Sequence, residues 1–229
     1  MPNPTSIMIF AAGKGTRMLP LTQHQPKPLI AVEGKALLDH AMDLIPPLGP
    51  MRRVVNLHYK SAMVRNHLSG QDIQFSDETD QLLETGGGLR HALPLLGTDP
   101  VFTLNTDAVW RGANPLQQLA KAWDPTQMDA LLLLIKQENA IGHSGQGDFV
   151  VDQNGRLSRG PGHIYSGAQI IKTDGLADIT DTVFSLNLLW DKMLKNTRLF
   201  GLVSDTSWCD VGKPSSLPLA SAMLGKPHV

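Results

Sequence analysis

Short apolar runs alternate with stretches of helical periodicity along the whole chain. The runs at 6–12 (SIMIFAA), 52–59 (RRVVNLHY), 72–78 (DIQFSDE), 100–109 (PVFTLNTDAV), 129–137 (DALLLLIKQ) and 197–205 (TRLFGLVSD) predict strands. Between them, 36–45, 61–69, 87–96, 114–123 and 181–195 predict helices. In the last of these, Val183, Phe184, Leu188 and Leu189 recur near helical spacing, and Asp181 stands in a capping position. The run ALLLLI does not alternate at all. A strand apolar on both faces is buried on both, as in a parallel sheet covered by helices. The pattern therefore predicts an α/β domain with a doubly wound, mainly parallel sheet.

The stretch 147–172 breaks this rhythm. Asn154-Gly155 separates two apolar runs and predicts a hairpin closed by a type I′ turn, a small antiparallel excursion from the main sheet. No internal repeat, low-complexity run or linker interrupts the chain, so 1–229 reads as one domain.

Composition narrows the class. With 229 residues, 41% apolar and 18% charged, the chain can bury a sizeable core. Its formal net charge of -1 gives no general attraction to nucleic acid or anionic membrane. Any phosphate it binds must then meet a few placed cations. Cys209 is the only cysteine, which excludes an internal disulfide and fits a reducing compartment. The N-terminal segment lacks a basic n-region, and no run approaches the roughly 18–20 apolar residues of a membrane span. The expectation is a cytoplasmic protein without nucleic-acid or membrane partners; the sequence leaves its oligomeric state open.

The most informative stretch is AAGKGTRMLPLTQHQPKPLIAV, residues 11–32. The dinucleotide fingerprint needs a third glycine where Met18 stands, and the Walker pattern is absent. A strand running into Gly13-x-Gly15 still exposes backbone N–H groups at the carboxyl edge of a parallel sheet, where ligands of such folds bind. Lys14 and Arg17 add positive charge, and Pro26 and Pro28 stiffen the chain around Lys27. A simple turn after the first strand is the bland alternative. Three cations in a loop braced by glycine and proline favour a polyphosphate site.

Two carboxylates and two glycine motifs follow. Asn105-Thr106-Asp107 ends a strand, so Asp107 can point into a ligand cleft or cap a turn. Asp210 lies in SWCDVGKP. Gly86-Gly87-Gly88 follows Glu84-Thr85 directly before a predicted helix. Three glycines there are costly in conformational entropy and suit either close backbone approach to a flat ligand or a flexible helix start. Tyr165 and Gly167 lie in HIYSGAQII, readable as a core strand with a spacing glycine. His143 and Asp148 lie in GHSGQGDF, readable as a surface turn.

The stretch GKGTRMLPLTQHQPKPL resembles the signature G-x-G-[TE]-R-x-x-P-L-T-x-x-x-P-K-P of the sugar-1-phosphate nucleotidyltransferases. This resemblance implies a Rossmann-like, GT-A-like fold and transfer of a nucleotide from a nucleoside triphosphate to a sugar 1-phosphate, with release of pyrophosphate. It implies catalytic roles for Arg17 and Lys27, and nucleotide contacts from Ala11, Ala12, Gly13, Lys14, Gly15 and Thr16, with Gly87 and Asn105 added further along. It implies sugar contacts from Glu84, Thr85, Gly86, Asp148, Tyr165 and Gly167, and a Mg²⁺ site on Asp107 and Asp210. Thr106 replaces the family's usual glycine and Lys213 its usual threonine. Glu84-Thr85-Gly86-Gly87-Gly88 looks most like the N-acetylmuramate-1-phosphate uridylyltransferase branch, with UTP as donor. Guanylyl or thymidylyl transfer to another hexose or heptose 1-phosphate is the alternative. A binding-only regulator would be expected to lack at least one of Arg17, Lys27, Asp107 and Asp210, and all four are present. An oxidoreductase would need an acidic residue ending the second strand, which instead ends NLHYK.

Overall fold

A computed structural model describes residues 4–97 and 100–225. The strands, in chain order, are β1 (Ser6–Phe10), β2 (Ala31–Val32), β3 (Lys35–Ala36), β4 (Arg52–Leu57), β5 (Gln74–Asp77), β6 (Val101–Asn105), β7 (Ala108–Arg111), β8 (Ala130–Ile135), β9 (Ala140–Ile141), β10 (Phe149–Val151), β11 (Leu157–Arg159), β12 (Ile164–Ile171), β13 (Leu199–Ser204) and β14 (Ser207–Asp210). The helices are α1 (Leu37–Met42), α2 (Ser61–His67), α3 (Glu84–Leu96), α4 (Pro115–Ala122), α5 (Asn187–Lys195) and α6 (Leu217–Leu224). No helix among the described residues is long and apolar enough to cross a membrane.

Seven strands form the central sheet in the order β13-β8-β12-β6-β1-β4-β5. All run parallel except β12, which is antiparallel to both β6 and β8. Both faces are covered. Ile7 and Ile9 of β1 enter one core with Leu131 and Leu133 of β8, while Met8, Leu132 and Leu134 enter the other. This two-sided burial is why these strands read as unbroken apolar runs. α4 shows how a helix is fixed locally. The Asn114 side chain accepts the Leu116 and Gln117 amides, Pro115 opens the first turn, and Leu116 and Leu119 are buried.

From β1 the strand order runs outward to β4 and β5 on one side and to β6 on the other. The crevice beyond the carboxyl ends of β1 and β6 is therefore the topological switch point, where open α/β sheets bind ligands. A second sheet, β7-β14-β9, stands beside it. β14 pairs antiparallel with β7, placing Asp210 opposite Ala108. Beneath lies a third core of Met18, Ile30, Val109, Cys209 and Val211. Burying a side chain such as Met18 contributes roughly 1.5–3 kcal/mol. That core fixes the 11–32 loop against β7 and β14.

Several sequence expectations change in the structure. The run 100–109 is two strands, because the chain leaves the central sheet at Thr106-Asp107 and enters the second sheet as β7. Helix α3 starts at Glu84, not at residue 87, so all three glycines are helical. α5 starts at Asn187, and residues 181–186 form an irregular strap. Asp181 caps nothing; its carbonyl accepts a hydrogen bond from Arg90, while the Ser185 hydroxyl accepts the Asn187 amide. The antiparallel excursion is only the β10–β11 hairpin, and 164–171 of this stretch is the central strand β12. Its turn is not type I′, since only Gly155 (φ 81°) takes positive φ; Gly155 N–H donates to Asp152 O, and the Asp152 carboxylate accepts the Asn154 and Arg156 amides. That is a type I turn closed by a left-handed glycine.

Candidate active site

Two depressions meet at the switch point and share Asn105 and Asp107. The larger, about 350 Å³, is lined by Ala11, Ala12 and Gly13, and by Leu82, Glu84 and Thr85. Lys27, Pro28, Asn56, Thr106 and Ser185 complete its wall. The smaller, about 160 Å³, is lined by Arg17, His143, Asp148, Tyr165, Gly167, Trp208 and Asp210, among others.

The two aspartates, far apart in sequence, come together where β7 begins and β14 ends, and both line the smaller depression. Val211 N–H donates to Asp107 O (2.8 Å), next to the Asp210–Ala108 register. Burial raises the Asp210 pKa, and the Asp107 charge raises it further; Lys27, Arg17 and His143 pull it back. Lys27 Nζ lies 3.0 Å from Asp107 Oδ2 and is largely buried. Gly15, at φ 63°, makes that placement possible: a Cβ there would lie 2.9 Å from Lys27 Cβ and from Thr22 Cγ2. A Cβ on Gly212 would lie 3.0 Å from Asp210 Oδ1 and 3.2 Å from Arg17 Nη1, so the guanidinium and carboxylate flank that glycine together. Arg17, Lys27, Asp107 and Asp210 thus form one constellation.

Other expected residues divide. Gly13 lines the larger depression with open space where a Cβ would be. Lys14 and Thr16 are exposed and outside both linings. Gly86 and Gly87 are also outside them. Both of their amides donate to Phe184 O, and added Cβ atoms would lie 2.4 Å from the Phe184 ring and from Thr182 O, respectively. These glycines fit α3 to the strap. Glu84 and Thr85 do reach the larger depression, Glu84 at φ 60°, and Thr85 Oγ1 accepts the Leu186 amide. Tyr165 turns its ring onto Trp190 (centroids 4.9 Å), and burial pushes its phenol pKa up. Asp148 Oδ2 accepts the Tyr165 amide (2.8 Å). Gly167, at φ 86°, makes room for the Asn105 side chain, whose atoms would lie 2.8–2.9 Å from a Cβ. Thr106 Oγ1 donates to Phe10 O (2.8 Å), tying the ends of β6 and β1. Lys213 is exposed.

Sequence reasoning missed Asn56, Leu82 and Ser185 in the wall, and Glu78 behind it. One signal was present: Asn56 is a polar residue inside the apolar run Val54-Val55-Asn56-Leu57, and a buried side-chain amide needs partners.

The profile of the family described as "MobA-like NTP transferase domain" matches residues 7–146. The chain is 38% identical to N-acetylmuramate alpha-1-phosphate uridylyltransferase of Caulobacter vibrioides, over 97% of this chain and 98% of that one. It is 30% identical to the enzyme of the same name from Neisseria meningitidis, over 95% and 97% of the two chains. In fold it is similar to the crystal structure of HddC from Yersinia pseudotuberculosis complexed with GMP-PN, with a TM-score of 0.77, 21% identity, and coverage of 96% and 99%. The likeness to the two uridylyltransferases spans nearly all of each chain, and the family match covers more than half of this one, so the chain belongs to the MobA-like NTP transferase family as a sugar-1-phosphate nucleotidyltransferase.

Proposed function

We propose that the protein transfers the uridylyl group of UTP to N-acetylmuramate 1-phosphate, releasing pyrophosphate. The carrying observation is the meeting of two depressions at Asn105 and Asp107, with Lys27, Arg17 and Asp210 around that wall. The larger depression takes the triphosphate and the smaller the sugar phosphate. The choice of uracil and of N-acetylmuramate rests on the names of the full-length relatives and on Glu84-Thr85-Gly86-Gly87-Gly88.

An oxygen of the sugar phosphate attacks the α-phosphorus. One P–O bond forms, the bond to the β-phosphate oxygen breaks, and its electron pair leaves with pyrophosphate. The nucleophile is already an anion, so no general base is required. What opposes reaction is repulsion between two polyanions. Holding them in line is worth up to roughly 7–11 kcal/mol. The chain's cations act where charge gathers, already in place before reaction. Lys27, pinned by Asp107 and the proline-braced loop, neutralises the reacting phosphates. Arg17, beside Asp210 in the smaller depression, adds its charge where the two depressions meet, while Lys14 stands on the same loop outside both linings.

The donor set fits Mg²⁺. Two carboxylates that repel one another supply hard oxygen donors, and Mg²⁺ commonly takes one or two carboxylates with substrate phosphates and water as the rest. Among the described residues no cluster of three or more His, Cys, Asp or Glu suited to a metal is present, so the pair would share the ion with substrate oxygens. Asp107 and Asp210 would hold it. Bound there, the ion would neutralise phosphate charge.

The test is a product assay with a panel of nucleoside triphosphates and sugar 1-phosphates. UDP-N-acetylmuramate and pyrophosphate are the expected products. Strict use of GTP or dTTP overturns the base assignment, and binding without turnover of any pair overturns the enzymatic reading.

A further inference from the structure

Asn56 and Glu78 are each only 3% exposed. A carboxylate buried this far is costly unless hydrogen bonds hold it. Glu78 has two: Oε1 accepts from Asn56 Nδ2 (2.7 Å), and Oε2 accepts from the Leu83 amide (3.0 Å). Asn56 Oδ1 in turn accepts the Ala11 amide (2.7 Å). The Glu78 backbone is fixed as well, its N–H donating to Leu57 O (2.7 Å) and its carbonyl 2.7 Å from His58 Nδ1. The third glycine of the triplet belongs to this arrangement. A Cβ on Gly88 would lie 2.6 Å from Glu78 Oε1.

The result is one relay: Ala11 amide, Asn56, Glu78, Leu83 amide. One end, Ala11, lines the larger depression, and the other, Leu83, lies between Leu82 and Glu84, which line it too. Ala11 opens the glycine loop, and Leu83 is the residue from which α3 starts with Glu84 and Thr85. An apolar pair of the same shape would fill the space but leave both amides without acceptors. The polar pair therefore does something packing alone cannot: it sets the glycine loop and the start of α3 at a fixed separation.

We propose that Asn56 and Glu78 are a positioning pair for the nucleoside triphosphate. Asn56, itself part of the wall, and Glu78 behind it hold Ala11 and Leu83 in place and take no part in the chemical step. This rests on the assignment of the triphosphate to the larger depression.

The donor–acceptor order offers a sharp test. Asn56→Asp places two acceptors against each other, and Glu78→Gln turns one acceptor into a donor. Each single variant breaks the relay. The double variant Asn56→Asp with Glu78→Gln restores it in reverse. The carboxylate at position 56 would accept from Ala11 and from the side-chain amide at position 78, whose carbonyl would accept from Leu83, with net charge unchanged. The measurements are Kd and KM for UTP, KM for N-acetylmuramate 1-phosphate, kcat and Tm. Each single variant should raise Kd and KM for UTP about tenfold, equal to about 1.4 kcal/mol. The KM for the sugar phosphate should stay at the wild-type value, and the double variant should recover most of the lost UTP affinity. Glu78→Asp, which keeps the charge but shortens the arm, replaces any single variant that does not fold. Single variants that bind UTP normally, or a double variant no better than Asn56→Asp, which carries the same carboxylate in the wall, overturn the pair. A defect confined to the sugar-phosphate KM, with recovery in the double variant, instead overturns the placement of the triphosphate.

Discussion

At Asp210, burial and the neighbouring Asp107 charge act in the same direction, and both disfavour the ionised carboxylate. Lys27, Arg17 and His143 oppose them, so the arrangement holds charge that the folded chain alone would rather not carry. Sites poised in this way commonly trade stability for function. Asp210→Asn removes one of two like charges while keeping the side chain's shape. It should lower the rate of pyrophosphate release by about 10²–10³, the scale of losing a placed electrostatic group, and leave Tm equal or higher. Asp107→Asn should be equally slow but should not gain stability, because it also loses the Lys27 ion pair. Calorimetry beside a pyrophosphate-release assay separates the two. Wild-type turnover in either variant would remove the aspartates from the mechanism.

Among the elements, α3 and the strap over it show what each glycine is for. Gly87→Ala would gain about 0.5–1 kcal/mol of helix propensity. Its Cβ, however, would sit 2.4 Å from the Thr182 carbonyl, a backbone atom that cannot swing away. Overpacking of this kind costs about 1–3 kcal/mol, so the clash wins and Tm should fall. Gly13→Ala is the opposite case. Open space surrounds its Cβ position, so Tm should hold, while KM for the triphosphate rises because the methyl enters the cavity. Equal Tm losses in both variants would contradict this division. The same elements mark what is legible in sequence. The runs of β1, β6 and β8 read as strands because burial on both faces leaves an unbroken apolar string. β14 and the 181–186 strap do not, because four residues carry no periodicity and Phe184 is apolar for packing against Gly86 rather than for a helix. Within the site, the Gly-x-Gly loop, Lys27 and both aspartates are legible as local motifs. Asn56 and Glu78 are not, since the relay links residues 45 and 22 positions apart that only the fold brings together.

Across the whole molecule, the candidate site and the fastening of the sheet lie at opposite ends of β12. Tyr165 and Gly167 of β12 line the smaller depression, and Lys172 follows that strand's far end. There Asp129 Oδ1 accepts from Lys172 Nζ (3.0 Å) and Arg198 Nε (2.8 Å), while the Asp129 backbone pairs with both residues. One carboxylate thus fastens β8, β12 and β13 where their registers start or end. Burial alone would raise its pKa, but the hydrogen bonds and charges of Arg198 and Lys172 outweigh it and the pKa is lowered. A carboxyl with a lower pKa in the folded state adds stability that is complete above its unfolded value near 3.9 and is lost as pH falls through the folded value. Asp129→Asn should therefore lower Tm at pH 7, by roughly 2–4 °C for each kcal/mol lost in a chain of this size. The gap to wild type should narrow as pH drops below about 4. Turnover at pH 7 should not change, because the cluster touches neither depression. Thermal melts of both proteins from pH 7 to pH 3 read this directly. A gap that stayed constant over that range would mean Asp129 stabilises the sheet edge by its shape and not by its charge.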